Sequence, residues 1–305
     1  MIVTITPNPA YDITYALPHV ELGQVHRVTD IRERAGGKGI NVARVLDQLG
    51  QQVNATGFAD PTFVDVLDRD GIAHDLVEAL PRVRRTLVVR GAEATSFWER
   101  GHELAPGGED MLVERVQDRL ADVAGLVVSG SLPSGCDPAL PARLASRAVD
   151  AGVPVIVDAD GEPLRHAAQV PGVVLMPNAD EVHLLADAAQ DWIDACHDLV
   201  ESGVRAVLAT RGADGMTAVT VDGVWHATPG ERLDGNPAGA GDAAAAAVIM
   251  HLARDVFDWP TLLADAVATS GAAVVAPVAG EIDTAVRDRL LTQVSVQRSE
   301  EENPR

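Results

Sequence analysis

The residues of this chain that could do chemistry are concentrated in two glycine-rich segments. The second segment, residues 236–242, reads Asn-Pro-Ala-Gly-Ala-Gly-Asp and runs directly into an almost entirely apolar stretch with strong helix propensity, residues 243–252. The first amides of a helix are unpaired and attract anions, and glycine lets a phosphate approach the backbone closely. Asp242 places a carboxylate at this anion site. That combination suits phosphoryl transfer, in which amides stabilise the transferred group and a carboxylate accepts the proton of the attacking hydroxyl.

Asp242 has two interpretations at this stage. As a helix-capping aspartate it would contribute about 1 kcal/mol to stability. A carboxylate among groups that bind phosphate would repel that phosphate, however, unless it faces the nucleophile. We expect the helix dipole to keep Asp242 ionised, which weakens it as a base, but a loose phosphoryl-transfer transition state demands little of the base.

The first segment, residues 35–39, reads Ala-Gly-Gly-Lys-Gly and contains Lys38, the only lysine among the 24 lysines and arginines of the chain. An ammonium is a compact charge with three rotatable donors, whereas a guanidinium is a wide planar fork that fits poorly beside glycine backbones. The sequence therefore predicts a specific role for Lys38, the alternative being a solvated loop cation.

Neither segment fits a different nucleotide-binding motif. Residues 239–244 match the dinucleotide pattern G-x-G-x-x-A, but Pro237 interrupts any strand leading into these glycines, and no strand ending in an acid follows the helix. A Walker loop would need glycine where this chain has Arg32, and Ser or Thr where it has Gly39. Both readings are excluded by context.

Composition limits the classes of partner. A formal net charge of −21 and a pI near 4.6 argue against nucleic acid or an anionic membrane as partners. Cys136 and Cys196 cannot build a disulfide framework or a thiolate metal site, and the histidines have no metal-ligand spacing. The first residues do not form a signal peptide, and no apolar run reaches the length of a membrane span, so we expect a cytoplasmic protein.

The elements that position these segments alternate between short β-branched runs and longer helical patterns, which predicts parallel strands with crossover helices. Two stretches, residues 12–34 and 84–101, break this alternation and predict a small separate sheet of half-exposed strands. The segments that carry the main alternation are Ile2–Thr6, Ile40–Leu49, Val53–Gly57, Thr62–Arg69, Leu126–Ser129, Pro138–Ala151, Val153–Asp158, Val173–Met176, Asp180–Ala188, Trp192–Ser202 and Ala206–Thr210.

The two glycine segments together resemble the signatures of the ribokinase-like sugar kinases of the phosphofructokinase-B family. Residues 35–50, AGGKGINVARVLDQLG, resemble the first signature, and residues 236–247, NPAGAGDAAAAA, resemble the second. Residues 6–12, TPNPAYD, and 130–135, GSLPSG, resemble the subgroup that contains 1-phosphofructokinases and tagatose-6-phosphate kinases. The resemblance implies an α/β ribokinase-like fold of three α/β/α layers, with a mostly parallel central sheet and a small β-sheet lid.

The resemblance also implies roles for individual residues. It makes Asp242 the general base and assigns the anion hole to Gly239, Ala240 and Gly241. Kinases that act on sugar phosphates need cations at the far end of the sugar, for which Lys38 is a candidate. The substrate-binding residues that the resemblance implies are Asp12, Gly37, Lys38, Asn41, Arg84 and Ser131.

A second set of residues is implied on the nucleotide side, where ATP and Mg²⁺ are the expected cofactors. Residues 177–181, Pro-Asn-Ala-Asp-Glu, resemble an N-x-x-E element whose Asn178 and Glu181 organise magnesium, largely through water. Their alternative interpretation is a helix N-cap near Asn178 with a solvated Glu181. The nucleotide contacts implied around the following strand end are Thr210, Gly212 and Gly215.

The domain organisation follows from the same resemblance. Residues 1–296 should form a single kinase domain, with lid segments at about 12–34 and 84–101 that close over the sugar and exclude water. Residues 297–305 are predicted to be a disordered tail. In the family such lids often pair between subunits, and an exposed Phe97 and Trp98 would agree with a homodimer.

The chain departs from the subgroup pattern where the sugar phosphate binds. Thr86, Val88 and Met176 stand where that pattern has asparagine, lysine and lysine. Losing a phosphate-binding cation weakens binding of a charged acceptor. The predicted reaction is phosphorylation of a primary hydroxyl of fructose 1-phosphate to give fructose 1,6-bisphosphate. The alternatives are tagatose 6-phosphate, fructose 6-phosphate, an unphosphorylated sugar or a nucleoside as acceptor, and a regulatory protein that binds sugar or nucleotide without turnover.

Overall fold

A computed structural model describes residues 1–17, 19–90, 94–185 and 191–299. Its strands and helices carry the labels used below. The strands are β1 (Ile2–Thr6), β2 (Ala10–Ala16), β3 (Asp30–Gly36), β4 (Val53–Ala59), β5 (Val77–Glu78), β6 (Arg84–Arg90), β7 (Ala94–Trp98), β8 (Gly125–Ser129), β9 (Val155–Asp158), β10 (Val174–Leu175), β11 (Ala206–Thr210), β12 (Met216–Thr220), β13 (Gly223–Thr228) and β14 (Ser295–Arg298). The helices are α1 (Lys38–Gln48), α2 (Pro61–Arg69), α3 (Gly108–Gln117), α4 (Leu140–Asp150), α5 (Gly161–Ala167), α6 (Ala179–Leu185), α7 (Trp192–Glu201), α8 (Ala240–Leu252), α9 (Trp259–Val274) and α10 (Thr284–Leu291).

The main sheet has the strand order β14-β13-β12-β11-β10-β9-β8-β1-β4-β5. The neighbouring strands β11, β10, β9, β8, β1, β4 and β5 run parallel. At the β11 edge the sheet continues with the antiparallel strands β12, β13 and β14. The predicted alternation of parallel strands and crossover helices is therefore observed in the main sheet. The antiparallel hairpin of β12 and β13 was not part of the sequence prediction.

Side chains on the two faces of this sheet belong to two separate hydrophobic cores. Leu126 and Val155 face one core, and their neighbours Val127 and Ile156 face the other, where α1, α8 and α9 pack. This alternation explains why strands buried on both faces read as unbroken apolar runs. It also gives the three-layer arrangement that the sequence predicted.

The two stretches that break the alternation form one small sheet with the strand order β3-β2-β6-β7. Strands β3 and β7 pair antiparallel to their neighbours, while β2 and β6 are parallel. Asp60 anchors the start of β6, because its carboxylate caps α2 by accepting from the amides of Thr62 and Phe63 and also accepts from the amide of Val83 at 2.6 Å.

One predicted boundary, the start of the C-terminal tail, differs from the structure. Another, the end of a predicted helix, lies outside the described residues. The predicted tail begins at residue 297, but Gln297 and Arg298 pair with β13, and the Arg298 guanidinium lies over the ring of Trp225. Backbone pairing thus extends the domain through Arg298. Residues 300–305 and the end of the predicted helix Asp180–Ala188, residues 186–188, lie outside the described residues. A search of the described residues finds no helix with the length and hydropathy of a membrane span.

Candidate active site

Both glycine-rich segments lie at helix starts, as the sequence predicts. Gly37 precedes α1 with φ 105°, and Gly239 precedes α8 with φ 84°, backbone conformations that glycine adopts without strain. The helices α1 and α8 pack against each other, which brings the two segments together. A Cβ added at Gly241 would meet no atom within 4 Å, so open space lies directly against this first turn of α8.

Asp242 lies in the first turn of α8 with 5% of its surface exposed. The capping position is Gly239, so Asp242 is not a helix cap. Its Oδ2 accepts a hydrogen bond from Asn41 Nδ2 at 2.9 Å, which orients the carboxylate from α1. Asn41, predicted to bind a sugar hydroxyl, is thus placed against the base, and its own Oδ1 is buried without a partner in the described residues.

The environment of Asp242 favours its neutral form more than the sequence predicts. The pKa of Asp242 is raised to about 7. Burial is the largest cause and the nearby carboxylate of Asp158 adds to it, while Lys38 and the Asn41 hydrogen bond act in the opposite direction. We expected the helix dipole to keep Asp242 ionised, but desolvation outweighs that effect. A carboxylate with a pKa near neutral pH is suited to accept a proton in a reaction.

The amides at the start of α8 are not all free to bind an anion. The amide of Ala240 donates to the carbonyl of Pro237 at 3.1 Å. Among the described residues no backbone carbonyl accepts from the amides of Gly241 or Asp242. The amide of Gly239 likewise has no backbone partner among the described residues. Of the predicted set, Gly239 and Gly241 are therefore available to a phosphate and Ala240 is not, while Asp242 adds a further free amide.

Lys38 pairs with a carboxylate that the sequence analysis did not single out. Its Nζ lies 2.9 Å from Asp158 Oδ1, and Asp158 Oδ2 accepts from Ser129 Oγ at 3.0 Å. Burial lowers the pKa of Lys38, but Asp158 and, more weakly, Asp242 and Glu181 outweigh this and raise it above its usual value. The ammonium is therefore charged and lies near the carboxylates of Asp158, Asp242 and Glu181.

Asn178 and Glu181 form a reciprocal cap at the start of α6. The amide of Asn178 donates to Glu181 Oε2 at 2.8 Å, and the amide of Glu181 donates to Asn178 Oδ1 at 2.9 Å. This is the helix-cap interpretation, but the pair also lies beside the site: burial raises the pKa of Glu181, and the Asn178 amide and Lys38 lower it. The same two side chains thus cap the start of α6, and Glu181 also interacts with the charges of Lys38 and Asp158.

A cavity of about 810 Å³ extends from the start of α8 along α9. This volume is in the range of small-molecule binding pockets. Small residues give it room, since a Cβ added at Gly212 would also meet open space. The cavity is lined by the predicted nucleotide contacts Asn178, Thr210, Gly212 and Gly215, by Ala240 and Gly241 of the predicted anion hole, and by Ser270 and Val274 of α9.

Asp12 lies on the small sheet, at a separate end of the site. Its Oδ1 accepts from Thr86 Oγ1 at 2.5 Å, and its Oδ2 packs so closely on Gly36 that an added Cβ there would lie 2.0 Å away. Burial raises the pKa of Asp12, while the Thr86 hydrogen bond and the charges of Arg34, Arg84 and Arg44 lower it. This carboxylate is surrounded by arginines.

Arg84 and Ser131 are linked to this end through Asn8. Arg84 donates to the carbonyls of Asn8 at 3.3 Å and Glu99 at 3.1 Å. Asn8 is buried, and its Nδ2 lies 3.2 Å from each of Ser131 Oγ, the Leu132 carbonyl and the Arg100 carbonyl. The GSLP loop and the ends of the small sheet are thus held together by one amide.

Asp158, Ser129 and Asn8 contribute to the site but were not predicted from the sequence, because the family motifs assign them no role. A sequence signal for two of them exists. Ser129 and Asp158 are the last residues of the apolar strands β8 and β9, and the carboxyl ends of parallel strands are where ligand sites form. Asn8 has no such signal, because its role depends on loops 92 to 124 residues away.

Comparisons with known proteins identify the family of the chain. Residues 5–284 match the pfkB family of carbohydrate kinases. The sequence is 32% identical over 278 residues to the 1-phosphofructokinase of Escherichia coli (strain K12), a match that covers 88% of this chain and 89% of the relative.

Solved structures share the fold. Phosphofructokinase-2 from Escherichia coli in complex with fructose-6-phosphate is 26% identical and matches with a TM-score of 0.83, over 95% of this chain and 98% of that chain. A protein described as a possible 1-phosphofructokinase from Thermotoga maritima, 22% identical, matches with a TM-score of 0.88 over 98% and 99% of the two chains. The ribokinase-like fold and the family that the sequence resembles are both confirmed.

Proposed function

We propose that this chain, which belongs to the pfkB family of carbohydrate kinases, transfers the γ-phosphoryl group of ATP to a primary hydroxyl of a ketohexose phosphate, with fructose 1-phosphate as the first acceptor to test. Membership of the family makes the chain an ATP-dependent sugar kinase. The choice of acceptor is supported by the similarity to a 1-phosphofructokinase over most of both chains. The observation that supports the chemistry is the buried Asp242 in the first turn of α8, next in the chain to Gly241, where the helix start borders open space.

Asp242 is proposed as the general base. As the acceptor oxygen forms its bond to the γ-phosphorus, its proton passes to the Asp242 carboxylate, and the bond from the γ-phosphorus to the bridging oxygen breaks to release ADP. Because the pKa of Asp242 is about 7, the carboxylate is ionised in a large fraction of molecules at neutral pH. The hydrogen bond from Asn41 holds it in one orientation.

The transferred phosphoryl group is proposed to lie between the amides of Gly241 and Asp242 and the ammonium of Lys38. Amides and a cation fixed in place stabilise charge that develops in the transition state. Lys38 was predicted to hold a phosphate at the far end of the sugar. Its ion pair with Asp158 and its electrostatic coupling to Asp242 and Glu181 favour a position beside the transferred group instead.

The residues of the cavity fit a nucleotide with magnesium. Open space against Gly241 and Gly212 is what the close approach of phosphates requires. The described residues contain no group of three or more His, Cys, Asp or Glu that could hold a metal ion. Magnesium usually keeps several waters and takes its other ligands from one or two carboxylates and from phosphates, and Asn178 and Glu181 would hold it in this way. When bound, the ion would neutralise charge on the phosphates.

At the other end, Asp12 is proposed to hold acceptor hydroxyls, and Arg84 and Ser131 to hold the acceptor's own phosphate. All three lie around Asn8 and the root of the small sheet, which would close over the acceptor and exclude water. One observation favours the runner-up, an unphosphorylated acceptor. Val88 lies on the same face of the small sheet as Asp12, where the subgroup pattern has lysine.

A homodimer through the small sheet is part of the proposal. Phe97 is 58% exposed and pairs with Leu87, which in turn pairs with Ile13, so an apolar row crosses the face opposite Asp12. A second copy of the chain would cover this row. Analytical ultracentrifugation of wild type and Phe97→Ser tests it: the expected result is a dimer whose dissociation constant rises in the variant, and a monomeric wild type at micromolar concentration would contradict it.

The decisive assay measures ADP release with ATP and magnesium across fructose 1-phosphate, fructose 6-phosphate, tagatose 6-phosphate, fructose, ribose and adenosine. We expect the highest kcat/KM with fructose 1-phosphate. If only the neutral acceptors turn over, the sugar-phosphate assignment is wrong and the runner-up holds. Binding of ligands without any turnover would instead indicate a regulatory protein.

A further inference from the structure

We infer that Arg34, on β3, is a further acceptor-binding residue, and that its free terminal nitrogen donates to an oxygen of the acceptor beside the hydroxyls held by Asp12. This inference rests on the proposed function, since it needs the acceptor to lie at Asp12. Neither the glycine signatures nor the family resemblance assigns a role to Arg34.

Strand register places Arg34 on the same face of the small sheet as Asp12, which is called the acceptor face below. Asp12 on β2 pairs directly with Arg34 on one side and with Thr86 of β6 on the other. Directly paired residues project from the same face of a sheet, so the three side chains form one row. The Asp12–Thr86 hydrogen bond shows that this row is in contact.

The guanidinium of Arg34 is held by one ion pair, while its second terminal nitrogen has no hydrogen-bond partner among the described residues. Its Nη1 donates to Glu281 Oε1 at 3.1 Å, and its side chain is 15% exposed. Its Nη2 is buried and has no hydrogen-bond partner in the described part of the chain. A buried donor without a partner is costly, because it has lost water without a replacement. An acceptor oxygen at Nη2 would satisfy it.

The position of Glu281 explains how Arg34 is oriented. Glu281 follows Gly280, whose Cβ, if present, would lie 2.9 Å from Asn41 Oδ1 and so next to the residue that orients the base. A Cβ at Gly239 would likewise meet Ala279 at 2.9 Å. Arg34 is therefore anchored to the loop that packs on the start of α8. This contact connects the small sheet to the end of the site that contains Asp242.

Arg34 lies one row from Val88, the position where the subgroup pattern has lysine. Val88 and Arg32 both pair with Thr14, one row further along the same face. Beyond Arg84, β6 offers only Thr86 and Val88 in the next two rows of this face, and β3 supplies the cation Arg34 opposite Asp12. A guanidinium suits either a phosphate oxygen or a sugar hydroxyl as its partner.

The experiment compares wild type with Arg34→Met, and with Arg34→Lys in case the first variant does not fold, using the acceptor of the assay panel that wild type turns over fastest. The expected result is an acceptor KM raised at least about tenfold, with the KM for ATP unchanged, as for loss of one hydrogen bond to a charged group. Arg34→Lys keeps the charge but cannot reproduce the fork, so it should show a smaller rise in the same KM.

Arg32→Met is the matched control, because Arg32 lies on the same strand and face but is 58% exposed. We expect less than about a twofold change in its acceptor KM. Competition by inorganic phosphate separates the two acceptor chemistries: a raised inhibition constant in Arg34→Met indicates a phosphate partner, and an unchanged one indicates a hydroxyl.

An acceptor KM that is unchanged in both Arg34 variants, or raised equally by Arg32→Met, would overturn the inference. A wild type that turns over no sugar phosphate contradicts the proposed acceptor instead, and the Arg34 comparison is then made with the neutral acceptor that is used. With no turnover at all, calorimetric titration of the fructose phosphates into wild type and Arg34→Met decides it, and equal affinities would refute it.

Discussion

A buried carboxylate, Asp242, and a half-buried one, Asp12, face the same proposed substrate from different parts of the fold, and their surroundings are opposite. Asp242 lies at the start of α8 against the main sheet, with a second carboxylate, Asp158, and a single lysine nearby. Asp12 lies on the small sheet among Arg34, Arg84 and Arg44. Burial raises the pKa of both, but at Asp242 a neighbouring negative charge raises it further, whereas at Asp12 every named neighbour lowers it.

This contrast separates chemistry from recognition. A base must exchange a proton near neutral pH, and the Asp158 carboxylate helps to keep the pKa of Asp242 in that range. A residue that only holds hydroxyls works best ionised, and surrounding arginines favour that form. The two ends therefore differ in what a mutation should change: turnover at the Asp242 end, and the acceptor KM at the Asp12 end.

The largest expected effect is the loss of the base. In Asp242→Asn we expect kcat to fall by about 10²–10⁴-fold, since general base catalysis contributes that much, with both KM values changed little. The matched variant Asp12→Asn should instead act mainly on the acceptor KM. Steady-state kinetics with each substrate varied in turn measure both. If the two variants gave the same pattern, the division between the two ends would be wrong.

The pH profile of kcat tests the charges around the base. Activity should rise with pH as Asp242 loses its proton, with a midpoint near 7 in wild type. Lys38 lowers the pKa of Asp242, so Lys38→Met should move the midpoint to higher pH and also reduce kcat by about 10²-fold through lost stabilisation of the phosphoryl group.

Asp158→Asn should move the same midpoint in the opposite direction. Asp158 raises the pKa of Asp242, so removing its charge lowers that pKa and keeps the base ionised at lower pH. Rate profiles from about pH 5 to 9 with saturating substrates separate the two variants. Midpoints that shift together, or do not shift, would show that the profile does not report Asp242.

Much of the Asp242 end could be predicted from the sequence, because it is built from local signals. The helix starts at Lys38 and Ala240 follow from glycine at the preceding position, and a carboxylate in the first turn of α8 is visible in the sequence. The pKa of Asp242 could not be predicted, since it depends on Asp158, which is 84 residues away in the chain but adjacent in space.

The Asp12 end was less predictable for the same physical reason. The small sheet was expected from two segments that lacked helices, but its register could not be read from period-two alternation alone. That register is what places Arg34 and Thr86 on either side of Asp12. The order of the strands depends on a parallel pairing between β2 and β6, which are separated along the chain by β3, α1, β4, α2 and β5.

Arg84 gives the next prediction, at the recognition end. We expect Arg84→Met to raise the KM for a phosphorylated acceptor by about tenfold, as for a lost hydrogen bond to a charged group, with kcat and the KM for ATP nearly unchanged. Arg85→Met is the control, because Arg85 neighbours Arg84 on β6 but projects from the opposite face. A drop in kcat without a change in acceptor KM would contradict this role and would indicate that Arg84 acts in the chemical step.

The smallest expected effect is a gain, from restoring the lysine of the subgroup pattern. Val88 pairs with Thr14 on the acceptor face, so in Val88→Lys the new ammonium should reach towards the acceptor's phosphate. We expect a fall of about two- to fivefold in the KM for fructose 1-phosphate, the modest gain typical of a partly exposed ion pair, with no change for a neutral sugar. Ser96→Lys, in the same row but one strand further from Asp12, should give less. An equal fall in KM from both substitutions would mean that the added positive charge attracts the acceptor from either position. A fall in the KM for neutral sugars would contradict the prediction that the new ammonium acts on a phosphate of the acceptor.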